Sequence, residues 1–359
     1  MAATAPSPAS TALQVYENEQ AWYGPDMARR TDWIYRLTPK EVDELDRAID
    51  AAASAGIDLL DLRREHFPLD ELGRTLARLR RDMLHGRGFF LARGVPVHRY
   101  DRKQAAIAFF GMGHYLGEPV SQNGKGHILG HVKNLGMDFK DPETRGYQTS
   151  ARLAYHTDYS DAVGLLCLQT SKSGGASSIV SSTTLWNELV RRRPDLAVAL
   201  AGPLHYTRWG EIPAGKQRYS EVPVFSPCAG RMIGFLNTRM TTMKAQAFPE
   251  VPRITPLQIE ALDFLDDLEN DPAIHMDMTF EPGDMQFLCN HSVLHSRTAY
   301  EEWPEPERRR HLLRLWLACD DGPELPHFMA NDFQGRTSGG RPNGIHTPGV
   351  PFKVPLEAE

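Results

Sequence analysis

The spacing of apolar residues along the chain predicts helices in the first third. Apolar positions recur at helical intervals over 39–55, which follows a Thr-Pro pair, over 70–86, and near 101–116. A short apolar run at 88–97 predicts a strand ahead of the third helix. These helices have the pattern of scaffold elements that pack against a sheet.

From about residue 128 the pattern changes to short apolar runs separated by Gly, Pro, Ser and Asn. Many short strands with turn signals are typical of a β-sandwich, jelly roll or barrel. Helices interrupt this series at 183–192 and 255–269. The strands are predicted at 128–134, 162–169, 177–182, 230–236, 275–280, 285–290 and 311–319. The expected fold class is therefore mainly β with flanking helices.

The same pattern predicts one domain over residues 15–330. Residues 1–14 are rich in Ala, Ser, Pro and Thr and are expected to be a flexible leader. Residues 331–359 are expected to be an irregular C-terminal segment. The polar stretch 135–154 has two interpretations, a mobile lid or an ordinary surface loop.

Composition and charge exclude several classes of protein. Acidic residues outnumber basic ones, 46 to 40, and no basic run is interleaved with aromatics, so nucleic acid is not an expected partner. No segment approaches the roughly 18 apolar residues that span a bilayer, so no membrane is expected either. The four cysteines are far apart and lack CxxC spacing, which is typical of reduced thiols. The sequence therefore predicts a cytoplasmic protein.

The stretch RLAYHTDYSDAVGLLCLQ (152–169) places His156 and Asp158 ahead of a long apolar run. On an extended strand these two side chains share a face while Thr157 points away. They could bind one metal ion together. For an isolated His-x-Asp, a simple hydrogen-bonded pair at a strand edge is the better interpretation.

A second stretch, GDMQFLCNHSVLHSRTAY (283–300), supplies two further histidines, His291 and His295. Both would share one face if the strand stayed regular, so periodicity does not choose between them. Either one would complete a set of two histidines and one carboxylate, which is diagnostic of non-haem Fe(II) oxygenases.

A third stretch, ERRRHLLRLWLAC (307–319), puts Arg310 and Arg314 on one face of an apolar strand. An arginine that faces an apolar interior is costly unless it is paired. A bound carboxylate would pair with it, because a guanidinium binds a carboxylate through two hydrogen bonds. An intramolecular salt bridge is the alternative, and it fits Arg314 better than Arg310.

The order of these motifs resembles the taurine dioxygenase and clavaminate synthase group of Fe(II)/2-oxoglutarate-dependent oxygenases. The resemblance rests on HTD, GG before a Ser-rich strand (GGASSIVSS, 174–182), PGD, LHSRTAY and RRHLLRLWL, and it covers roughly residues 85–330. It implies a double-stranded β-helix, or jelly-roll, core. It also implies Fe(II) as the metal, with 2-oxoglutarate and O2 as co-substrates.

The resemblance also implies roles for individual residues. His156, Asp158 and His295 match the iron ligands, because His295 lies within the family's LHxRT pattern. Arg310 matches the arginine that binds the distal carboxylate of 2-oxoglutarate. Ser177 falls where relatives often carry a Thr that contacts the co-substrate, although the neighbouring Ser178 is an equally available donor.

The substrate residues are expected beside the proposed ligands. Arg314 matches a position that touches an acidic group of the primary substrate in several relatives, and Tyr155 and Tyr159 flank the HTD motif. Tyr206 and Trp209 are further candidates for a pocket wall, with core packing as the alternative for each.

The resemblance implies oxidation of an unactivated C–H bond of a small organic, amino-acid-like or natural-product substrate, with decarboxylation of 2-oxoglutarate to succinate. Halogenating relatives replace the carboxylate ligand with a small residue, so Asp158 favours hydroxylation or desaturation. The competing hypothesis is a non-catalytic, cupin-like jelly-roll protein that binds a metal or a small acid without turnover.

Overall fold

The computed structural model of the chain describes residues 13–137, 146–332 and 344–359. Within these residues the helices are α1 (Gly24–Ala28), α2 (Pro39–Ser54), α3 (Glu71–His85), α4 (Arg102–Gly113), α5 (Ser182–Arg192), α6 (Pro194–Ala201), α7 (Arg239–Ala245), α8 (Pro256–Glu269) and α9 (His327–Asp332). The strands are β1 (Ile34–Arg36), β2 (Phe89–Arg93), β3 (Glu118–Val120), β4 (Leu129–Lys133), β5 (Leu153–His156), β6 (Ala162–Gln169), β7 (Ser173–Gly174), β8 (Ser177–Ser181), β9 (Pro203–Thr207), β10 (Tyr219–Pro223), β11 (Phe225–Cys228), β12 (Arg231–Gly234), β13 (Met276–Met278), β14 (Met285–Cys289), β15 (Val293–Arg297), β16 (Tyr300–Glu301) and β17 (His311–Ala318).

The starts of the long helices are fixed by capping side chains. At α2, the N–H of Glu41 donates to Oγ1 of Thr38, and the Glu41 carboxylate accepts the N–H of Thr38 in return. Thr255 and Gln258 make the same reciprocal pair at α8. Such a cap is worth about 1 kcal/mol. It explains why these two helices begin within one residue of the start that the sequence predicts.

The larger sheet has seven strands in the order β1-β2-β14-β6-β17-β3, and β4 also pairs with β17. All of its pairs are antiparallel except β1 with β2. β17 pairs with β6 along one edge and with β4 and then β3 along the other. The strand of the arginine motif is therefore held between neighbours on both sides.

The smaller sheet has four antiparallel strands in the order β13-β8-β15-β5. It faces the larger sheet, because Oγ of Ser177 on β8 donates to Oε1 of Gln286 on β14 over 2.9 Å. Trp316 on β17 likewise donates to Asp158, just after β5, over 2.8 Å. The core is therefore sheet-rich, with two sheets packed face to face.

Strand alternation in β17 divides the core in two. Leu312 and Trp316 lie in the apolar cluster between the sheets. Leu313, Leu315 and Leu317 lie in a second cluster with side chains of α2, α3 and α4. Each buried leucine contributes about 1.5–3 kcal/mol. The N-terminal helices thus act as the expected scaffold and cover the outer face of the larger sheet.

Several elements differ from the sequence-based expectation. The helix α6 and the β9–β10 hairpin were not predicted, although Pro194 stands at the first turn of α6, a common place for proline. The strand expected at 285–290 is β14 (Met285–Cys289), and it ends before His291, so His295 lies on a separate strand, β15. The break between the two strands leaves His291 outside both of them.

The C-terminal segment is described from residue 344 onward and packs against the body of the protein. The N–H of Ile345 donates to the carbonyl of Ser121 over 2.8 Å, and the N–H of Ile128 donates to the carbonyl of Lys353 over 2.9 Å. Apart from one isolated bridge between His127 and Lys353, residues 344–359 form no strand or helix. The expected leader lies almost wholly outside the described residues, since the description starts at residue 13.

All four cysteines, Cys167, Cys228, Cys289 and Cys319, are free thiols. None of the helices in the described ranges has both the length and the apolar character that a membrane crossing requires.

Candidate metal centre

β5 ends at His156, and Asp158 lies two residues beyond the end of the strand. The N–H of Thr157 donates to the carbonyl of Leu236 (2.8 Å), and the N–H of Asp158 donates to Oδ1 of Asn290 (3.0 Å). These two bonds fix the segment at consecutive residues. Asp158 therefore lies just beyond β5, in a position set by hydrogen bonds to two other segments of the chain.

Three ligand-type side chains converge at the end of β5: His156, Asp158 and His295. Nε2 of His156 lies 3.9 Å from Oδ1 of Asp158, and Nε2 of His295 lies 3.7 Å from Oδ2. One ligand atom from each residue lies within 4.8 Å of the other two. Among the residues described by the structure, no other set of three His, Cys, Asp or Glu side chains meets this condition.

The second histidine of the 283–300 stretch, His291, lies elsewhere. It falls in the turn between β14 and β15, so the strand alternation that would have put it on the face of His295 is interrupted. Its Nε2 is 2.7 Å from Oδ1 of Asp161, and both side chains are buried. The other oxygen of Asp161 accepts the N–H of Cys319 over 2.8 Å. His291 thus belongs to a structural hydrogen-bond network.

The protonation states of the three side chains suit metal binding. Nδ1 of His156 is 2.9 Å from the carbonyl of Ala154, so Nδ1 carries the proton and Nε2 keeps its lone pair. Burial, and then the charge of His156, lower the pKa of His295 to about 3. Burial raises the pKa of Asp158, but Arg314 and the two histidines outweigh it and lower the pKa overall. His295 is therefore neutral and Asp158 is ionised at neutral pH, as metal binding requires.

The donor set fits iron. Two imidazoles and one carboxylate fill one face of an octahedral ion and leave three positions open. No cysteine lies among the three residues, whereas thiolates favour structural zinc and iron–sulfur sites. The site has the chemistry of a catalytic, open centre.

Arg310 lies just before β17 and is 4% exposed. Its Nη1 has no hydrogen-bond partner in the described parts of the chain, and its Nη2 is 3.5 Å from the carbonyl of Gly175. Burial lowers the pKa of Arg310, while the nearby Tyr300 opposes this. A buried guanidinium with an unpaired N–H is costly. This position is suited to a bound carboxylate, as the sequence analysis expected.

A second buried arginine, Arg297, was overlooked by the sequence analysis, although it stands in the LHSRT motif. Its Nη2 donates to the carbonyls of Thr149 (2.9 Å) and Ala151, while Nε and Nη1 have no partner among the described residues. Its guanidinium lies 4.7 Å from the ring of Tyr300, which Arg310 also faces. Burial and the charge of Arg310 lower the pKa of Arg297 to about 10. The two arginines make this end of the core strongly positive.

The sequence analysis did not choose between Ser177 and Ser178 as the contact of the co-substrate. The strand register distinguishes the two. In the β8–β15 pair, residue 179 lies opposite His295, so Ser177 shares the inner face with that histidine. Its Oγ donates to Oε1 of Gln286 across the core. Ser178 points to the other face, where its hydroxyl is hydrogen-bonded to that of Tyr155. Ser177 is therefore the better placed of the two toward the site.

Arg314 shares the inner face of β17 and reaches the metal centre. Its Nε donates to Oε1 of Gln122 over 2.7 Å, and its Nη1 lies 4.0 Å from Oδ1 of Asp158. The guanidinium lies 4.9 Å from the ring of Tyr147 and 5.2 Å from that of Trp316. The sequence analysis gave an intramolecular salt bridge as the alternative role of Arg314. This salt bridge is partly formed, and its partner is Asp158, the candidate metal ligand.

A cavity of about 440 Å³ opens beside the three ligand-type side chains. His156 and Asp158 form part of its wall, which is rich in aromatic and polar groups. The lining includes Tyr147, Tyr159, Trp209, Asn237, Arg314 and Trp316. Such a concave, partly apolar pocket with a few polar groups is typical of a small-molecule site.

Of the four aromatic residues considered as substrate contacts, two line the cavity and two do not. Tyr159 lines the cavity, and its hydroxyl accepts a hydrogen bond from Nδ2 of Asn237 over 2.9 Å. Trp209 also lines it, whereas Tyr206 is fully buried in the core. Tyr155 is buried on the face opposite to His156 and does not line the cavity, so its expected contact with substrate is corrected.

The expected lid, 135–154, is described only in part, because residues 138–145 lie outside the described residues. Of the rest, Gly146, Tyr147, Leu153 and Ala154 line the cavity. The segment therefore contributes to the wall of the site, and its opening and closing stays a prediction.

The fold and the donor set together define a class, the mononuclear non-haem metal enzymes with two histidines and one carboxylate. Residues 53–316 match the family model described as "Taurine catabolism dioxygenase TauD, TfdA family", and the chain belongs to this family. It is an Fe(II)- and 2-oxoglutarate-dependent dioxygenase, as the motif order implied.

Two curated relatives illustrate the family. FR-33289 synthase from Streptomyces rubellomurinus is 28% identical over 326 residues, which cover 89% of this chain and 95% of that protein. Uridine-5'-phosphate dioxygenase from Amycolatopsis sp is 29% identical over 227 residues, which cover 60% of this chain and 80% of that protein.

Solved structures share the fold. Asparagine oxygenase, in complex with Fe(II), 3-hydroxyasparagine and succinate, has a TM-score of 0.62 at 17% identity and covers 88% of this chain and 99% of its own. The non-haem iron oxygenase OrfP, in complex with Fe and alpha-ketoglutaric acid, has a TM-score of 0.59 at 17% identity, with 87% and 100% covered.

Proposed function

We propose that His156, Asp158 and His295 bind the Fe(II) of this dioxygenase. The observation that carries the proposal is the convergence of their ligand atoms within 4.8 Å. The proton on Nδ1 of His156 supports it, because it leaves Nε2 free to bind. When bound, the iron supplies the oxidation of a substrate C–H bond by O2, coupled to decarboxylation of 2-oxoglutarate to succinate.

Arg310 and Ser177 would hold the distal carboxylate of 2-oxoglutarate. Support comes from the unpaired Nη1 of the buried Arg310 and from the inward position of Ser177. Arg297 adds positive charge at the same end of the core. These residues would orient the co-substrate from its far end, so that its other end lies toward the three ligand-type side chains.

The primary substrate would occupy the 440 Å³ cavity. Arg314 lines this cavity beside the metal centre and would pair with an acidic group of a small organic or amino-acid-like substrate. Tyr159 and Trp209 would form its walls. The names of the relatives point the same way, since one is a dioxygenase of uridine-5'-phosphate and OrfP is solved with hydroxylated arginine. Hydroxylation or desaturation fits the carboxylate at Asp158.

We also infer the topology of the core and the cellular location of the protein. The two facing sheets would form a double-stranded β-helix, or jelly roll, within a single domain over residues 15–330. The free state of all four cysteines supports a reducing compartment, and therefore a cytoplasmic location.

The test is an anaerobic titration of the purified protein with Fe(II) and 2-oxoglutarate. We expect a visible charge-transfer band from the chelated co-substrate, and succinate once oxygen is admitted with a small-acid substrate panel. Asp158→Ala should abolish both signals. The Asp43→Ala variant, on helix α2, serves as the control and should keep both.

A wild-type protein that shows no band and forms no succinate would contradict the proposed site. Metal binding without either signal would instead match the non-catalytic, cupin-like alternative.

A further inference from the structure

Trp316 makes a direct hydrogen bond to the candidate metal ligand Asp158. Its indole N–H donates to Oδ2 over 2.8 Å, and the two side chains are only 4% and 7% exposed. An indole N–H is a donor only, so this bond has one possible direction. One of the two carboxylate oxygens is therefore already engaged by the protein.

The rest of the surroundings of Asp158 fixes the carboxylate further. Its backbone N–H donates to Asn290, whose Nδ2 donates to the carbonyl of Ser160 over 3.0 Å. Arg314 approaches from the other side, with Nη1 4.0 Å from Oδ1. Asp158 is thus held at its backbone N–H and at Oδ2, which also lies 3.7 Å from Nε2 of His295. Among the described residues, Oδ1 accepts no such N–H and lies 3.9 Å from Nε2 of His156 and 4.0 Å from the arginine.

The position of Trp316 depends on the most heavily paired strand of the larger sheet. In β17 it lies opposite Val163 of β6 on one side and Val120 of β3 on the other. The indole ring also lies 5.2 Å from the guanidinium of Arg314. Because an aromatic side chain has few rotamers, the donor reaches Oδ2 from a rigid base.

We propose that Trp316 is a positioning residue that keeps Asp158 a one-oxygen ligand. With Oδ2 held by the indole N–H, Oδ1 would be the oxygen that binds the metal. This inference rests on the ligand set proposed above. A carboxylate that bound through both oxygens would occupy two positions and leave two open, whereas binding through one leaves three. 2-Oxoglutarate would take two of these three, so the indole would keep the last one open.

Two replacements of Trp316 test this. Trp316→Phe removes the N–H and part of the ring. Incorporation of benzothienylalanine at position 316 removes the N–H but keeps the two-ring shape, because sulfur replaces the nitrogen. The matched control is Trp22→Phe, since Trp22 is also buried and its N–H donates over 2.8 Å to the carbonyl of Arg87.

Anaerobic calorimetry with Fe(II) provides the main measurement. Partners that orient a metal ligand typically affect metal affinity by about 10- to 100-fold, so both replacements at 316 should weaken binding by about that factor. The control should bind as the wild type does. Co(II) absorption provides a second readout, because its d–d bands respond to a change in the ligands around the ion. We expect an altered spectrum in both 316 variants.

The possible outcomes distinguish a failure of the role of Trp316 from a failure of the proposed iron ligands. If the wild type binds no Fe(II), the ligand set itself fails. If the wild type binds Fe(II) and both 316 variants match its affinity and its Co(II) spectrum, the role of Trp316 is refuted while the ligands stand. Loss in the Phe variant alone would assign the effect to ring packing and also refute the role of the N–H.

Discussion

His295 lies directly opposite His156 in the β15–β5 register, and their ring centroids are 4.3 Å apart. Cross-strand neighbours of this kind have side chains on the same face, so the pairing itself brings the two imidazoles together. His291, four residues earlier, is excluded from this arrangement by the turn before β15.

The first prediction concerns these two histidines. His295→Ala should weaken Fe(II) binding at least tenfold, because one of three ligands is lost. His291→Ala should keep Fe(II) binding but lower the free energy of unfolding by about 3 kcal/mol, since it leaves the buried Asp161 without its partner. Anaerobic calorimetry and urea unfolding measure the two effects. The reverse pattern would show that the wrong histidine is assigned to iron.

The second prediction concerns Arg310. Its replacement by Ala should raise the KM for 2-oxoglutarate by about tenfold or more, because a charge-assisted contact is worth about 1.5–3 kcal/mol. The control is Arg308→Ala, since Arg308 is exposed and its cation lies over the Trp303 ring. Steady-state kinetics with varied 2-oxoglutarate measure the effect. Equal KM values in the two variants would reject the role of Arg310.

The third prediction compares neighbouring serines. Ser177→Ala should raise the KM for 2-oxoglutarate several-fold, because it removes a hydroxyl from the inner face. Ser178→Ala should leave that KM within about twofold, since Ser178 pairs with Tyr155 on the opposite face. The same kinetic assay serves for both. A larger effect in Ser178→Ala would indicate that the strand register differs in solution.

The fourth prediction starts from a buried pair of histidines. Nδ1 of His311 accepts an N–H of Arg102 over 2.8 Å, and Nε2 of His311 lies 2.8 Å from Nδ1 of His131. His131 in turn donates through Nε2 to the carbonyl of Pro355 over 2.9 Å. Every hydrogen bond in this row, from Arg102 to Pro355, can form only when both imidazoles are neutral.

Burial, and then the charge of Arg102, lower the pKa of His311 to about 2, and burial also lowers the pKa of His131. The unfolded chain therefore binds protons below about pH 6.5 that the folded protein does not. The stabilisation that comes from the neutral His311 is complete above that pH. It is lost progressively as the pH falls toward the pKa of His311 in the folded protein.

The wild-type protein should accordingly lose about 1.4 kcal/mol of unfolding free energy through His311 between pH 7.5 and pH 5.5. In His311→Gln this part of the pH dependence should disappear, whereas a Gln at the exposed His98 should leave it unchanged. Urea unfolding at the two pH values measures it. An unchanged pH dependence in His311→Gln would mean that His311 titrates normally in the folded state.

Local patterns were enough to predict much of the fold. The strand expected at 162–169 is β6, Ala162–Gln169, and the helix expected at 255–269 is α8, Pro256–Glu269. Both have strong periodicity and clear ends, and α8 has a complete cap. The hairpin of β9 and β10 was missed because a long loop, and not a short turn with a recognisable sequence, joins its strands.

The sequence by itself determined the chemistry of the site, because residue type and motif order are local properties. It supplied the His-x-Asp pair, the LHSRT histidine and the two arginines, and with them the metal and the co-substrate.

Only the tertiary structure decided which neighbours complete the site. Ser177 meets Gln286 across 109 residues of chain, and Trp316 meets Asp158 across 158. Such contacts depend on strand register and on how two sheets face each other. A shift of one residue would reverse every side chain on a strand, and no local pattern specifies that alignment.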